Sequence, residues 1–503
     1  MNEGMAIEPS VDLVCSEIYS QTSAHWQTVD DASGLRVFTS SARGVTAYKD
    51  FLLRHKIDAA AIASADDLKA VPSVNKKNYL RLYPFKELCK GGALSVRSVV
   101  FTSTSGSTGA PFYFPRDRAV DFSSSVYHEM FLRNSLLAAD RSTLVIVCFG
   151  MGVWIGGIIT YQAFKLISER SYRLAILTPG VNKEEIFAAL KNIAPQYDQV
   201  VLCGYPPFMK DVIDESAARG IDWKKNSTKL IFAAESFSEN FRDRLAEQVG
   251  IKNVYRDTMN IYGSADLGTM AAETPVGILI RRLALKNKAI YKKLFKDAGR
   301  LPTLAQFHPG FVNFVEDAGR VYGTSDNILP LVKYEIGDNG GVIGFDDVRR
   351  IFAEEGVDLK AEVEQAGLAD TVSELPFVYV YERSDFSVKL YGAIVYPEHV
   401  KAGIDHARFS GQITGKFAMS VLHDENHDEY LEINVELAPG QKAADRLYDD
   451  LTGAILESLV QKSAEYKNNV NVLSGRVTPR LVFWPHGHEK HFKAGAKQKW
   501  VVK

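Results

Sequence analysis

The sequence contains little that would point to secretion, to a structural metal or to nucleic acid. Its four cysteines lie far apart and form no CxxC pair, which argues against a disulfide framework and a zinc ribbon and suits a reducing compartment. The formal net charge is only −2, so the composition gives no reason to expect nucleic acid or an anionic membrane as a partner. The segment 1–20 carries early acids and no apolar centre, unlike a signal peptide. We therefore expect a cytoplasmic location.

One uncharged run resembles a membrane span in length. Leu144–Phe164 contains no charged residue and is long enough to cross a bilayer. Four glycines interrupt it, however, and their concentration in the centre favours a loop over a continuous helix. We predict a buried strand over Leu144–Phe149, a glycine loop around Trp154 and a helix from about Ile158, with no stable membrane insertion.

The two best-known nucleotide-binding loops are also absent. A Walker A loop requires GxxxxGK[ST], and the nearest match, Gly411–Phe417, is one residue short and ends in phenylalanine. A dinucleotide fingerprint requires GxGxxG, but Ile155 stands where the third glycine belongs after Gly150–Gly152. The sequence instead contains a loop rich in serine, threonine and glycine, Ser103–Pro111, which follows the apolar run Val99–Phe101.

This loop indicates a phosphate-binding site. Backbone N–H groups and hydroxyls in such a loop can converge on one small anion, and glycine lets the backbone approach the anion closely. If the loop binds phosphate, we expect the ligand to be a nucleotide. A plain serine- and glycine-rich turn is the alternative that composition alone leaves open.

The alternation of segments along the chain predicts an α/β protein with more than one domain. A chain of 503 residues is long for a single core. Helical and strand-like segments alternate over most of the length, which favours an α/β architecture. Near residue 380 a polar turn, Tyr381–Asp385, precedes a change to two strands, an amphipathic helix over Ala443–Lys462 and a further strand. We predict a large N-terminal domain of several subdomains over 1–382 and a small mobile α+β domain over 383–503.

Five motifs in order resemble those of the adenylate-forming superfamily. They are Thr104–Pro111 (TSGSTGAP), Tyr262–Asp266 (YGSAD), Leu329–Asp338 (LPLVKYEIGD), Arg383–Asp385 with Gly392 and Tyr396–Glu398, and Ala496–Val501 (AKQKWV). Within the superfamily the chain is most similar to the phenylacetate–CoA ligase and capsular CapK branch, which has a PxxTKxxL-like segment where this chain has Pro72–Leu80. The resemblance covers roughly residues 65 to 503. It implies a two-domain, AMP-forming ligase.

The resemblance also implies roles for individual residues. The loop would hold the β- and γ-phosphates of ATP through backbone N–H groups and the hydroxyls of Ser107 and Thr108. Tyr262 and Gly263 would flank the adenine, and Asp338 would accept hydrogen bonds from the ribose hydroxyls. The residues implied in ATP or AMP binding are Thr104, Ser105, Gly106, Ser107, Thr108, Gly109, Glu235, Tyr262, Gly263, Ser264, Lys333, Asp338 and Arg383.

Three positions in the predicted N-terminal domain depart from the family pattern. Asp266 stands where glutamate is usual and is implied as a catalytic residue and Mg²⁺ ligand; because aspartate is one methylene shorter, direct coordination and coordination through water both stay open. Lys333 stands where arginine is common, which keeps the positive charge but loses the planar fork. Ala234 replaces the glycine of a GEP-like strand end whose Glu235 is expected to line the nucleotide or acyl pocket.

The C-terminal motif supplies the residue on which the implied chemistry depends most. Lys497, delivered by the mobile domain, would neutralise the charge that builds up on the carboxylate and phosphoryl oxygens during adenylation. Ala496 replaces the family's glycine before it, so Lys499 is the alternative. Asp385 would be the hinge of the small domain, and Gly392 would reach the active site after rotation.

The sequence therefore predicts an ATP- and Mg²⁺-dependent enzyme that activates a carboxylic acid as acyl-AMP and transfers the acyl group to a thiol, with CoA as the expected co-substrate. Transfer to a carrier protein, an amine or a sugar stays open, as does a nucleotide-binding scaffold without catalysis. Trp154, Gly156 and Tyr205 are expected to line an apolar pocket for an aromatic or fatty acid. The basic segment Arg281–Arg300 is either a docking site for an acidic carrier protein, CoA phosphates or lipid headgroups, or a solvated amphipathic helix. A homodimer is compatible with the sequence.

Overall fold

The structure, a computed structural model, describes residues 10–92, 99–104, 111–135, 141–170, 172–296, 302–381, 387–409, 411–489, 491–492 and 501. The α-helices in these residues are α1 (Val11–Ser20), α2 (Ser23–Gly44), α3 (Thr46–Arg54), α4 (Arg118–Asn134), α5 (Ile155–Ser168), α6 (Lys183–Asn192), α7 (Pro206–Ser216), α8 (Glu239–Gln248), α9 (Val254–Asp257), α10 (Pro275–Lys286), α11 (Lys288–Phe295), α12 (Phe345–Glu354), α13 (Leu359–Gln365), α14 (Pro397–Ile404), α15 (Asp445–Lys462) and α16 (Ala464–Leu473). The β-strands are β1 (Val100–Ser103), β2 (Tyr113–Arg116), β3 (Thr143–Cys148), β4 (Leu174–Leu177), β5 (Gln199–Gly204), β6 (Ser227–Ala233), β7 (Thr258–Ser264), β8 (Gly268–Ala272), β9 (Thr303–Gln306), β10 (Val312–Asp317), β11 (Arg320–Ser325), β12 (Leu331–Ile343), β13 (Phe377–Val380), β14 (Val388–Leu390), β15 (Ala393–Val395), β16 (Ile413–His423), β17 (Glu429–Leu437) and β18 (Arg480–Trp484).

The chain divides into two compact units. The larger unit comprises Met1–Thr102, Phe114–Gly204 and Val212–Glu382, and the smaller unit comprises Ser103–Tyr113, Tyr205–Asp211 and Arg383–Lys503. Two short segments from the N-terminal half thus cluster with the C-terminal residues, although no change in sequence pattern marks them.

The larger unit is built around a sheet that has eleven strands within the described residues, in the order β10-β11-β12-β13-β9-β8-β7-β6-β5-β3-β4. Strands β4, β3, β5, β6 and β7 run parallel, and the remaining neighbours are antiparallel. Both β3 and β5 are buried along their whole length, which explains why they are almost continuous apolar runs in the sequence. At the carboxyl ends of such parallel strands, loops from distant parts of the chain meet at one edge of the sheet.

The uncharged run over 144–164 is not one continuous helix. Its first part forms β3 and its last part belongs to α5, so the predicted strand, glycine loop and helix are confirmed, with the helix beginning at Ile155 rather than near Ile158. Gly157 packs so tightly that a Cβ there would lie 2.5 Å from the carbonyl oxygen of Gly150, which excludes a side chain at this position. No helix in the described part of the chain is both long enough and apolar enough to cross a membrane.

The smaller unit contains a three-stranded sheet among its described residues, in which β17 pairs antiparallel with β16 and parallel with β18. The predicted amphipathic helix is α15, which begins at Asp445 and ends at Lys462. Its buried face is formed by Leu447, Leu451, Ile455 and Leu459, at intervals of one helical turn. The predicted mixed α/β class of the whole chain is confirmed.

Candidate active site

The end of β7 and the middle of β12 bring two predicted site residues together. Tyr262 donates its phenolic hydroxyl to Oδ2 of Asp338 at 2.7 Å, although 76 residues separate them in sequence. The Tyr262 ring lies nearly parallel to that of Phe314, with centroids 6.1 Å apart. Gly263 follows, and a Cβ there would lie 2.9 Å from the carbonyl oxygen of Gly268, so this position requires glycine. The site thus pairs an aromatic face with a carboxylate acceptor.

Asp266 lies in the turn that links β7 to β8. The hydroxyl of Ser264 accepts a hydrogen bond from the N–H of Leu267 at 3.1 Å and closes this turn. The side chain of Asp266 is 4% exposed, and its Oδ1 lies 3.0 Å from Nζ of Lys76. This cation offsets the cost of burying the carboxylate. A buried carboxylate is also the kind of hard oxygen ligand that Mg²⁺ prefers.

Lys76 is a site residue that the sequence analysis missed. It begins a short helix in the segment Pro72–Leu80, where Asn75 and Asn78 form a capping box. Asn75 also donates through Nδ2 to Oε2 of Glu335 at 2.9 Å, which fixes the segment to β12, the strand that carries the predicted ribose ligand. The only sequence signal for Lys76 is its place in the PxxTKxxL-like segment, which assigns it no role.

Arg116 is a second residue that sequence reasoning missed, and no sequence signal marks it. It is the last residue of β2 and is only 3% exposed. Its Nε donates to Oγ1 of Thr102 at 3.0 Å, its Nη1 donates to the carbonyl of Asp266 at 3.4 Å, and its Nη2 donates to the carbonyl of Ala265. Burial lowers the pKa of Arg116 to about 10, with the charge of Asp266 opposing the shift, so the guanidinium stays charged at neutral pH.

The loop after β6 has, at Ala234, a backbone conformation that glycine adopts more easily than alanine. Ala234 has a φ of 77°, in the left-handed region. The carbonyl of the buried Glu235 accepts from Nδ2 of Asn260 at 3.0 Å. The other amide atom, Oδ1 of Asn260, is buried and has no hydrogen-bond partner among the described residues. An orphaned buried acceptor is costly unless a ligand supplies a donor, so Asn260 is a third candidate that sequence reasoning missed.

A buried ionic cluster supports both β7 and this loop. It consists of Arg242, Arg281, Arg282, Glu239, Asp243 and Glu273. Glu273 accepts from the backbone N–H of Asn260 at 2.9 Å, and Arg281 donates to the carbonyl of Phe237. Burial alone would raise the pKa of Glu239, but the three arginines hold it below its ordinary value. The cluster therefore fixes the backbone at Asn260 and at the far end of the loop after β6.

Several of the predicted site residues lie outside the described part of the chain, so their roles stay predictions. They are the nucleotide ligands Ser105, Gly106, Ser107, Thr108, Gly109 and Arg383, the hinge residue Asp385 and the catalytic Lys497. The hydroxyl of Thr104 accepts from the N–H of Phe112 at 3.1 Å, so Thr104 closes the β1–β2 hairpin. Lys333 donates through Nζ to the carbonyl of Lys69 at 2.7 Å, and partial burial lowers its pKa.

The predicted acyl-pocket residues lie in different units. Trp154 immediately precedes α5 and its ring covers Gly150, where a Cβ would lie 3.1 Å from the indole. Gly156 lies in the first turn of α5. Tyr205 belongs to the smaller unit, and its ring would lie 3.4 Å from a Cβ at Gly392. The joint acyl pocket stays a prediction.

Several cations of the basic segment form ion pairs with acids of the same unit. Arg281 and Arg282 belong to the buried ionic cluster, and Lys293 forms ion pairs with Glu354 and Glu355 at 2.9 and 2.7 Å. Helix α10 buries all of Pro275–Arg281, and α11 buries an apolar face formed by Ile290, Leu294 and Phe295. These contacts favour the amphipathic-helix interpretation over a docking site for an acidic carrier protein.

The fold is similar to that of enzymes with solved structures, although comparisons of the sequence find no related protein. No protein-family model matches the sequence, and no curated protein matches it. The structure matches 2-hydroxyisobutyryl-CoA ligase in complex with 2-HIB-AMP and CoA in the thioesterification state, with a TM-score of 0.61 at 14% identity over 97% of this chain and 91% of that chain. The chain therefore has the fold of this CoA ligase.

Two further structures of that ligase show the same similarity. An open conformation with 2-HIB-AMP and CoA gives a TM-score of 0.53 at 13% identity, over 97% of this chain and 94% of that one. A postadenylation state with 2-HIB-AMP gives 0.52 at 13% identity, over 97% of this chain and 91% of that one. The two-domain ligase fold that the five motifs imply is thus confirmed. At identities this low the phenylacetate–CoA ligase branch stays a prediction.

Proposed function

We propose that this protein uses ATP to activate a carboxylic acid as an acyl-AMP and transfers the acyl group to a thiol, with CoA as the expected thiol. The observation that carries the proposal is the 2.7 Å hydrogen bond between Tyr262 and Asp338, which places an aromatic ring and a carboxylate together. The ring offers a surface on which adenine can stack, and the carboxylate can accept hydrogen bonds from ribose hydroxyls. The structures with this fold that contain 2-HIB-AMP and CoA support the same choice of ligands.

The nucleotide site has a further acceptor for adenine. Oδ1 of Asn260 is buried and lacks a donor among the described residues, while Nδ2 of the same amide is committed to the carbonyl of Glu235. The exocyclic amine of adenine is a donor of the required kind. We place the triphosphate at the loop Thr104–Gly109, as the resemblance implies.

Asp266 is the proposed Mg²⁺ ligand. Mg²⁺ usually keeps several waters and takes only one or two protein carboxylates together with phosphate oxygens, so a single buried aspartate fits this ion. When bound, Mg²⁺ would neutralise charge on the phosphate oxygens. Lys76 holds the carboxylate of Asp266 in its present position through the 3.0 Å ion pair.

The proposed reaction has two steps that balance. In the first step a carboxylate oxygen attacks the α-phosphorus of ATP, and the bond to the β-phosphate oxygen breaks, so that pyrophosphate leaves. Lys497 would neutralise the carboxylate and phosphoryl oxygens as they approach each other. In the second step the thiolate sulfur attacks the acyl carbon, and AMP leaves with the electron pair of the acyl–oxygen bond.

Pyrophosphate–ATP exchange over a panel of aromatic, fatty and short-chain carboxylic acids tests the first step. Label from pyrophosphate enters ATP only when an acid is adenylated reversibly, and we expect exchange with at least one member of the panel. ATP binding without exchange for any acid would contradict the enzyme proposal and leave the scaffold alternative. Release of AMP with CoA, a carrier protein, an amine or a sugar as acceptor then identifies the second substrate.

The state of the cysteines is compatible with the expected cytoplasmic location. All four are free and buried, so none is paired in a disulfide. We propose a cytoplasmic location, where ATP, Mg²⁺ and CoA are available and thiols stay reduced.

A further inference from the structure

Arg116 joins two parts of the larger unit that are distant in sequence. On one side its guanidinium donates to the hydroxyl of Thr102 on β1, at 3.0 Å. On the other side it donates to the successive carbonyls of Ala265 and Asp266, in the turn between β7 and β8. The planar fork of arginine can reach two neighbouring carbonyls at once, which a lysine ammonium cannot do with the same geometry. Arg116 therefore fixes the backbone of this turn to the base of the β1–β2 hairpin.

Packing alone does not account for a buried arginine at this position. None of the three hydrogen-bond acceptors of Arg116 is a carboxylate oxygen, and the residue is only 3% exposed. Its hydrogen bonds therefore all go to neutral oxygen atoms, although the charge of the nearby Asp266 also stabilises the guanidinium. An apolar side chain of similar volume would fill the same space without the cost of burying a charge. Because both carbonyls belong to the turn that carries the Asp266 carboxylate, the position of this turn is the property that Arg116 controls.

The reach of Asp266 depends closely on this backbone. The carboxylate is attached through a single methylene, so a displacement of the turn moves its oxygens by a similar distance. Of the other polar contacts described for the turn, the Ser264–Leu267 hydrogen bond lies within the turn itself, and the Lys76 ion pair acts on the carboxylate. Within this set of polar contacts in the described residues, the hydrogen bonds of Arg116 are the ones that tie the turn's backbone to another strand.

We propose that Arg116 is a positioning residue that sets the reach of the Asp266 carboxylate toward a divalent cation bound with ATP. The inference rests on the proposed function, because it assumes that Asp266 faces a metal–nucleotide complex. It predicts that the loss of Arg116 weakens the binding of metal-bound ATP while it leaves the binding of metal-free ATP unchanged, since Asp266 makes no favourable contact with the nucleotide in the absence of the cation.

The experiment measures ATP binding without a carboxylic acid, so that no turnover occurs. Wild type, Arg116→Met and Arg116→Lys are titrated with ATP in EDTA and with Mn²⁺–ATP, and protein-bound Mn²⁺ is followed by electron paramagnetic resonance. We expect Arg116→Met to weaken Mn²⁺–ATP binding at least tenfold and to change metal-free ATP binding by less than twofold. Arg116→Lys retains the charge and one hydrogen bond, so we expect an intermediate loss, and this variant decides the test if Arg116→Met does not fold.

The matched control is Arg256→Met. Arg256 is also buried and also donates to two backbone carbonyls, those of Asn134 and Gly367, and it lies outside the proposed site. Unlike Arg116, it also pairs with a carboxylate, that of Asp370. We expect this variant to lower the unfolding temperature without changing the ratio of the two ATP affinities. An unchanged ratio in both Arg116 variants, with normal binding by wild type, would overturn the role of Arg116 and leave the proposed function standing. Failure of wild type to bind ATP in either form would overturn the proposed function and this inference with it.

Discussion

The buried ionic cluster gives the most demanding prediction, because each of its charges has a defined partner. Arg242 donates through Nη2 to both carboxylate oxygens of Glu273 at 2.8 Å, and Arg281 donates through Nη1 to Oε1 at 3.2 Å. The backbone N–H of Asn260 is a further donor, 2.9 Å from Oε2. The side chains of Glu273 and Arg242 are both 0% exposed. We therefore expect Glu273→Gln to leave an uncompensated positive charge in a site closed to solvent.

The magnitude follows from the charge balance of the cluster. Its arginines and acids are equal in number, so the substitution creates one unit of excess positive charge. The glutamine oxygen can still accept a hydrogen bond, but its NH₂ group must face guanidinium donors. Removing one partner of a buried ion pair costs about 3–5 kcal/mol. This is a large share of the roughly 5–15 kcal/mol that stabilises a typical protein.

Urea unfolding followed by circular dichroism measures this loss of free energy. The double variant Glu273→Gln/Arg281→Met restores the charge balance. We therefore expect its loss of unfolding free energy to be smaller than the sum of the losses in the two single variants, by about 1–3 kcal/mol. Glu184→Gln, which removes an exposed ion pair with Arg219, is the control and should leave the unfolding midpoint unchanged. A loss below about 1 kcal/mol for Glu273→Gln, or strict additivity in the double variant, would refute the reasoning.

Four further predictions concern the site and helix α2. Lys497→Ala should reduce adenylation by about 10²–10³-fold but largely spare thioester formation from supplied acyl-AMP, because only the first step brings two anions together. Asp385→Pro should do the reverse by locking the proposed hinge, as single-turnover rates of the two half-reactions would show. Tyr262→Phe removes the hydrogen bond to Asp338 and should raise KM for ATP by about tenfold with little change in kcat. Asp30→Asn should reduce the loss of thermal stability as the pH rises from about 4 through about 7, because burial raises the pKa of Asp30 from 3.8 to about 7, although the hydrogen bond from Asn313 opposes the shift.

The sign of the pH effect follows from linkage. A carboxyl whose pKa is higher in the folded state than in the unfolded state stabilises the fold when it is protonated, and this contribution is lost as the pH rises from about 4 through about 7. Asparagine does not titrate, so the unfolding temperature of the variant should gain on that of wild type across this window. A constant difference between the two unfolding temperatures would contradict the assignment of the raised pKa to Asp30.

The other three predictions have outcomes that would contradict them. Equal losses in both half-reactions would count against Lys497, an unaffected second step would count against Asp385, and an unchanged KM would count against Tyr262.

Local pattern was sufficient for most secondary structure. The predicted strand over Leu144–Phe149 is β3, because a strand buried on both faces in a parallel sheet is a nearly continuous apolar run. The predicted helix over Ala443–Lys462 is α15, because one apolar residue per turn marks its buried face. The order of short motifs also predicted a CoA-ligase fold, which the structural match confirms. These properties depend on residues that are near one another in sequence or on their order along the chain.

Contacts between distant residues were decided only by the tertiary structure. The hydrogen bond between Tyr262 and Asp338 joins two predicted residues, but the motifs gave neither the bond nor its 2.7 Å length. The placement of Lys76 and Arg116 around Asp266 had no sequence signal of its own, since a single lysine or arginine is most often a solvated surface residue. Sequence periodicity reports which face of an element is buried, whereas the partner of a buried charge depends on which strands become neighbours in the sheet. The sequence by itself thus determined the elements and the expected chemistry, and the sheet order determined which charges meet.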